Sequence, residues 1–220
     1  MTTTSAVARV FGRIAIELFG ALLAPPQCAA CDAPVGLRSI FCAACASTTE
    51  PRARDESVIA PFAYGGAIAV AITRFKYEQR SDLARPLADI LRGAVRAEQA
   101  SLRGIDLVCP VPLHPSRLAE RGFNQAALLA SPVADDLGAR FMPRALARTR
   151  DTPRQATLDR EARGRNLEEA FEVRRVAVVR GARVLLVDDV RTTGATLGAC
   201  ESALREAGAR DVIQLVVACA

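Results

Sequence analysis

From Ser57 onward, continuous apolar runs alternate with stretches in which apolar residues recur every three or four positions. The first pattern belongs to strands buried on both faces, the second to amphipathic helices. Strands are predicted at Val58–Tyr64, stopping at Gly65-Gly66, at Ile105–Val111, at Val184–Val187 and at Asp211–Cys219. A helix is predicted over Asp82–Ala97, with Leu83, Leu87, Ile90, Leu91 and Val95 on one face. Another covers Thr196–Ala207 and is closed by Gly208. Glu120–Gly138 also reads as mainly helical, kinked or broken at Pro132. Strands and helices taken in turn give an α/β chain with a doubly wound, mostly parallel sheet.

Two regions stand outside this alternation. Val7, Val10, Phe11, Ile14, Leu18 and Leu22 fall near helical spacing, so residues 1–24 read as an amphipathic helix ended by Pro25-Pro26. Glu17 interrupts the apolar run and no Ala-x-Ala site follows, which argues against a secretory leader. The run is also shorter than the roughly 20 residues of a membrane span. Residues 25–50 form a Cys-rich module followed by a polar linker. The chain therefore divides into an N-terminal unit, 1–50, and an α/β unit, 51–220. Within the latter, 148–171 is polar, carries both signs of charge, and has little core of its own. It reads as a flexible lid bearing Arg154, Arg163 and Arg165, or as a solvated excursion.

Composition narrows the function classes. Half of the 220 residues are hydrophobic, enough for a core of real size. There is no Trp and aromatic content is 5 %, so no stacking platform for single-stranded nucleic acid is evident. The net charge of +5 is carried almost wholly by arginine, with Lys76 the single lysine. That charge suits phosphate but does not by itself imply nucleic acid. Seven cysteines, an odd number, do not suggest a disulfide scaffold, so a reducing cytoplasmic setting is expected. Cys28-x-x-Cys31 and Cys42-x-x-Cys45, ten residues apart, have the spacing of a structural four-thiolate Zn site. Another metal, or a redox pair, is the alternative. Cys109, Cys200 and Cys219 lie in apolar stretches and read as core.

The most informative segment runs from Val184 to Leu197. Four apolar residues are followed by Asp188 and Asp189, then by Val190, Arg191, Thr192, Thr193, Gly194, Ala195 and Thr196, and then by a helix. Open α/β sheets bind ligands at the carboxyl ends of their strands. Carboxylates there accept from vicinal hydroxyls. A glycine-bearing loop that opens a helix presents backbone N–H groups and the helix dipole to an anion. The combination suits a sugar phosphate. Taken singly, an acid after a strand is often a helix-entry acid, and Thr196 alone is an ordinary N-cap candidate. No Walker A loop occurs.

This segment resembles the motif with which type I phosphoribosyltransferases bind phosphoribosyl pyrophosphate (PRPP). Three further segments narrow the resemblance: Val108–Leu118 with Glu120–Gln125, Gln155–Leu158, and Arg163 with Asn166 and Phe171. With the paired cysteines, these are similar to the ComF (ComFC, GntX-like) family of competence-associated phosphoribosyltransferase-like proteins, from about Pro25 to the C-terminus. The resemblance implies that Asp188 and Asp189 hold the ribose hydroxyls and that Thr192–Thr196 hold the 5-phosphate. It also implies a pyrophosphate loop after Ile105–Val111. Arg117 and Arg121 would then contact pyrophosphate, Arg163 would close over it, and Mg would accompany PRPP. Asp188, Asp189 and Arg117 are the catalytic candidates. For each arginine a plain salt bridge is the alternative. His114, the single histidine, reads as a loop contact, and Asn124 and Gln125 as residues that fix the loop or cap a helix.

The departures matter too. Thr192 stands where 6-oxopurine enzymes place an Asp, which argues against simple hypoxanthine or guanine salvage, and no glutaminase domain fits in this length. Three functions follow from the resemblance. One is phosphoribosyl transfer from PRPP to an unidentified acceptor. A second is a non-catalytic protein binding single-stranded DNA or the competence machinery. The third is a PRPP-sensing regulator that keeps the pocket without turnover.

Overall fold

The computed structural model describes residues 26–53, 55, 57–150 and 170–220. The expected helix at 1–24, the three lid arginines, and most of the lid lie outside these residues. After a four-residue helix α1 (Ala43–Ala46) come β1 (Phe62–Ala63), α2 (Gly66–Tyr77), a 3₁₀ turn (Ser81–Leu83) and α3 (Ala84–Ala97). Next are β2 (Leu107–Pro110), α4 (Pro115–Arg121), α5 (Gln125–Leu137) and β3 (Arg140–Phe141). A short ribbon, β4 (Leu146–Arg148) and β5 (Phe171–Val173), precedes α6 (Val176–Val179), β6 (Arg183–Arg191), α7 (Ala195–Glu206) and β7 (Asp211–Cys219).

The five-stranded sheet has the order β1-β7-β6-β2-β3 and every pairing in it is parallel. Both faces are covered, as parallel sheets require. Leu185, Val187, Leu215 and Val217 pack on one face against residues of α2, α3 and α5, including Ile72, Leu87 and Leu129. Val184, Leu186 and Val216 pack on the other against Leu197, Cys200 and Leu204 of α7. The doubly wound α/β fold expected from the sequence is the one observed. Cys109, Cys200 and Cys219 are buried in it.

Several boundaries move, each for a physical reason. The strand expected at Val58–Tyr64 shrinks to Phe62–Ala63, with a single further bridge to β7, from Ile59 to Leu215. Pro61 has no N–H to give the ladder and breaks the pairing between them. The helix expected at Glu120–Gly138 is two helices, and the break is not at Pro132. It falls at Gly122, whose φ of +77° ends α4 in the left-handed region. Pro132 sits inside α5, where it deprives the Leu128 carbonyl of its donor, but Leu128 is exposed and water reaches that side. The helix α2 has no counterpart in the sequence reading. Finally, β6 does not end at Val187. Its partner β7 continues alongside, so Asp188, Val190 and Arg191 remain in the ladder, opposite Val216, Ala218 and Cys219. The two acids are strand residues, and the loop that follows is only Thr192–Gly194.

Among the described residues, no helix is long and apolar enough to cross a membrane. The strands β4 and β5 pair antiparallel with Arg148 opposite Phe171, so the chain leaves and re-joins the described structure at one point.

Candidate functional site

The carboxyl ends of β1, β6 and β2 converge on one edge of the sheet, and the chemistry collects there. Asp189 is 3 % exposed. Its Oδ1 accepts from the Nζ of Lys76, near the end of α2, at 2.8 Å. The Asp188 carboxylate accepts from the backbone N–H of Asp189 at 2.9 Å. Burial, followed by the charge of Asp189, pushes the Asp188 carboxyl up to about 7, against the opposing pull of Lys76 and Arg121. Lys76 is held above its ordinary value. Burial works against its charge, but the two aspartates outweigh it. A buried carboxylate, a half-buried one and one ammonium thus come together at the carboxyl end of the sheet, where open α/β sheets generally bind ligands.

Next to that spot lies a cavity of about 330 Å³ between the end of α2 and α4, lined by Lys76, Tyr77, Gln79, Arg117, Glu120, Arg121 and Phe123. Three cations and one carboxylate face it. Arg121 lies 5.1 Å from the centre of the Tyr77 ring and donates to Gln125 Oε1 at 3.2 Å. Gln125 is 2 % exposed, and its Nε2 has no partner among the described residues. The loop between β2 and α4 is set by its own residues. Asn124 Nδ2 donates to the Val111 carbonyl at 3.0 Å, and the His114 ring takes the Ser116 N–H at 3.3 Å to cap α4, where Pro115 occupies the first turn. His114 is therefore a loop contact.

On the other side of the diacid, Thr192 and Thr193 are exposed and Gly194 adopts φ +77° as the N-cap of α7. A Cβ on Gly194 would fall 2.9 Å from Arg191 Nε, so the Arg191 side chain lies across this turn. Arg191 also donates to Ser57 Oγ at 3.0 Å. The expected site residues thus fall into one neighbourhood in two parts: Asp188 to Thr196 along the end of β6 and the start of α7, and Arg117 with Arg121 in the cavity. Arg163 lies outside the described residues. The sequence reading did not include Lys76 or Tyr77. The signal that pointed to the first was its being the single lysine among 29 lysine and arginine residues.

The four paired cysteines come together. Their Sγ atoms all lie within 4.8 Å of one another. The Cys31–Cys42 separation is 3.7 Å, close to the edge of about 3.8 Å that a tetrahedron of 2.3 Å Zn–S bonds requires. Backbone N–H groups of Cys42, Ala30 and Cys31 stabilise the Cys28 thiolate against burial and bring it to about 6. The donor set fits a four-thiolate zinc ion with no open position. This module is clamped to the sheet unit: Arg80 Nη1 donates to Asp32 Oδ1 at 3.0 Å, while Arg74 reaches Asp32 Oδ2 and the Ala29 carbonyl.

The chain is similar to several known proteins. A profile of the phosphoribosyl transferase domain matches residues 124–220. The DNA utilization protein YhgH of Salmonella typhi is 34 % identical over 187 residues, covering 84 % of this chain and 80 % of that protein. Competence protein F of Haemophilus influenzae is 32 % identical over 193 residues, covering 85 % and 82 %. Among solved structures, adenine phosphoribosyltransferase from Saccharomyces cerevisiae aligns with a TM-score of 0.43 at 18 % identity, over 78 % of this chain and 82 % of that one.

Proposed function

The chain belongs to the phosphoribosyltransferase-domain family of DNA utilization protein YhgH and competence protein F, and from that premise we propose that it binds PRPP at the end of β6 and transfers its phosphoribosyl group to an acceptor. One observation carries the reading. Two acids at the carboxyl end of a central strand stand between a glycine-started helix and a cavity lined by Lys76, Arg117 and Arg121.

PRPP has three parts, and the neighbourhood offers a matching partner for each. Asp188 and Asp189 accept hydrogen bonds from the ribose hydroxyls. The Thr192–Thr196 turn gives backbone N–H groups, hydroxyls and the α7 dipole to the 5-phosphate. The cavity cations take the pyrophosphate, with Arg117 and Arg121 able to make paired hydrogen bonds to it. Hard carboxylate oxygens beside an anion-binding cavity also fit a divalent cation such as Mg, which when bound neutralises pyrophosphate charge. As the bond to C1 breaks, negative charge grows on the leaving pyrophosphate, and fixed cations in a desolvated cavity stabilise it. The thiolate cluster is closed and takes no part in this chemistry.

The test is binding. PRPP or ribose 5-phosphate should raise the melting temperature, more so with Mg. Asp188→Asn and Asp189→Asn should each weaken PRPP binding by about 1.5–3 kcal/mol. If both variants bind PRPP like the wild type, the site is misassigned. The relatives' names, DNA utilization protein and competence protein F, favour a second reading in which the chain handles DNA; under that reading the strand would be single-stranded and the four-cysteine module would dock other proteins. A salt titration of DNA binding separates the readings, since phosphate contacts make DNA affinity fall steeply with salt.

A further inference from the structure

Lys76 belongs to two places at once. Its ammonium is 2.8 Å from the Asp189 carboxylate, and the same side chain lines the cavity with Arg117 and Arg121. Asp189 is almost fully buried, and its side chain keeps 4 % of its surface exposed against 19 % for Lys76. The pair therefore sits at the boundary between the diacid and the cavity. Without ligand the arrangement is complete, because the ammonium compensates a buried carboxylate whose charge is felt by its neighbour Asp188. With ligand it is not. A ribose hydroxyl at Asp189 would compete with Lys76 for the same carboxylate, and a pyrophosphate in the cavity would offer the ammonium a more highly charged anion.

Resting on the PRPP reading above, we propose that Lys76 is the resident counter-ion of the Asp188–Asp189 pair and exchanges partners on ligand binding, leaving Asp189 for the pyrophosphate in the cavity and so freeing Asp189 for the ribose. The residue type suits this role. Lysine is a compact point charge on a flexible four-carbon stem, free to turn between two anions. A guanidinium would grip the carboxylate with a planar fork. This chain uses arginine for all its other cationic side chains, and lysine here alone. Lys76 is thereby a positioning and specificity residue. It selects ligands that bring a pyrophosphate over those that bring only a ribose phosphate, since only the former gives the displaced ammonium a new partner.

That single lysine also supplies the probe. Lysine-selective isotope labelling of the full chain gives one side-chain ammonium resonance, which Lys76→Met identifies by its loss. In the free protein the signal should show the slow exchange of an ion-paired ammonium and should move in Asp189→Asn. Saturating PRPP with Mg should shift it to a third position. Ligand titrations complete the test. Lys76→Met should lose about 10- to 100-fold in PRPP affinity, the range of a charge-assisted contact, while ribose 5-phosphate, which no longer has to displace the ammonium, binds at least as tightly as to the wild type. Lys76→Arg should not restore PRPP binding. A lysine signal that stays put at saturating PRPP overturns the exchange. So does a Lys76→Met variant that loses both ligands equally, which would mark the lysine as structural. A wild-type chain that binds neither PRPP nor ribose 5-phosphate removes the underlying PRPP reading, and the exchange with it.

Discussion

The ion pair at the centre of the site makes a stability claim that can be measured without any ligand. Lys76 and Asp189 are 2.8 Å apart with side chains 19 % and 4 % exposed, and Asp188 lies beside them. Removing one partner of a buried pair costs about 3–5 kcal/mol, because the other charge stays behind without compensation. Lys76→Met keeps the stem and deletes the charge, and the partial exposure of Lys76 places the loss near the lower end, at about 3 kcal/mol. For a chain of this size that corresponds to a fall in Tm of about 6–12 °C. The pH dependence carries the sign. The Asp188 carboxyl is raised to about 7 in the folded state, so the folded chain holds a proton there that the unfolded chain gives up near pH 4. Between those values stability falls as pH rises, and it is lowest above about pH 7. Deleting the ammonium pushes the carboxyl higher still. The cost of Lys76→Met should therefore be largest at about pH 8 and smaller at about pH 5.5, where Asp188 accepts a proton. Asp189→Asn removes the like charge, leaves Lys76 to compensate Asp188, and should cost less. Denaturant unfolding of both single variants and the double variant gives the coupling, which should exceed about 1 kcal/mol. A Lys76→Met chain that melts within about 2 °C of wild type at the higher pH, or one whose loss does not depend on pH, would refute the electrostatic account.

Gly66→Ala should be among the most damaging changes outside the sheet. Gly66 has φ +48° and an added Cβ would lie 2.0 Å from the Thr48 carbonyl oxygen, so thermal melts should show a loss of more than about 2 kcal/mol. The thiolate cluster should carry about one zinc per chain by elemental analysis, and Cys42→Ser should lose the metal and loosen the N-terminal module more than the sheet, read as faster hydrogen exchange at 28–46 than at β6. If Asp188 accepts ribose hydroxyls as proposed, PRPP affinity should rise as pH rises through about 7 and then level off, because the carboxylate form is the better acceptor. Calorimetry in buffers of different ionisation enthalpy should register the proton released.

What could be read from the sequence, and what could not, follows from the range of the interactions involved. The last strand, Asp211–Cys219, matches its prediction at both ends, because its apolar run and its hydrogen-bonded length coincide. For β6 they do not coincide. The apolar run stops at Val187, but the ladder is decided by how far β7 runs alongside, so Asp188 and Asp189 become strand residues. That correction matters for function, since a strand holds a carboxylate more rigidly than a loop does. The sequence points to Pro132 as the break between α4 and α5, yet the break is made by a glycine with positive φ. Pro132 could stay helical because Leu128, whose carbonyl it leaves without a donor, faces water. Helix α2 escaped notice because alanines and β-branched residues blur its periodicity. With it went Lys76, whose partner lies on a distant strand. The four cysteines were legible because a four-thiolate metal site demands a local spacing, two Cys-x-x-Cys pairs, that stands in the sequence itself. Asp32 was not, since its grip on Arg74 and Arg80 depends on how the module docks. Those two arginines flank Lys76 on its own helix and on the turn that follows. The four-cysteine module therefore braces the segment that delivers the ammonium to Asp189, a connection between the two halves of the chain that no motif within either half records.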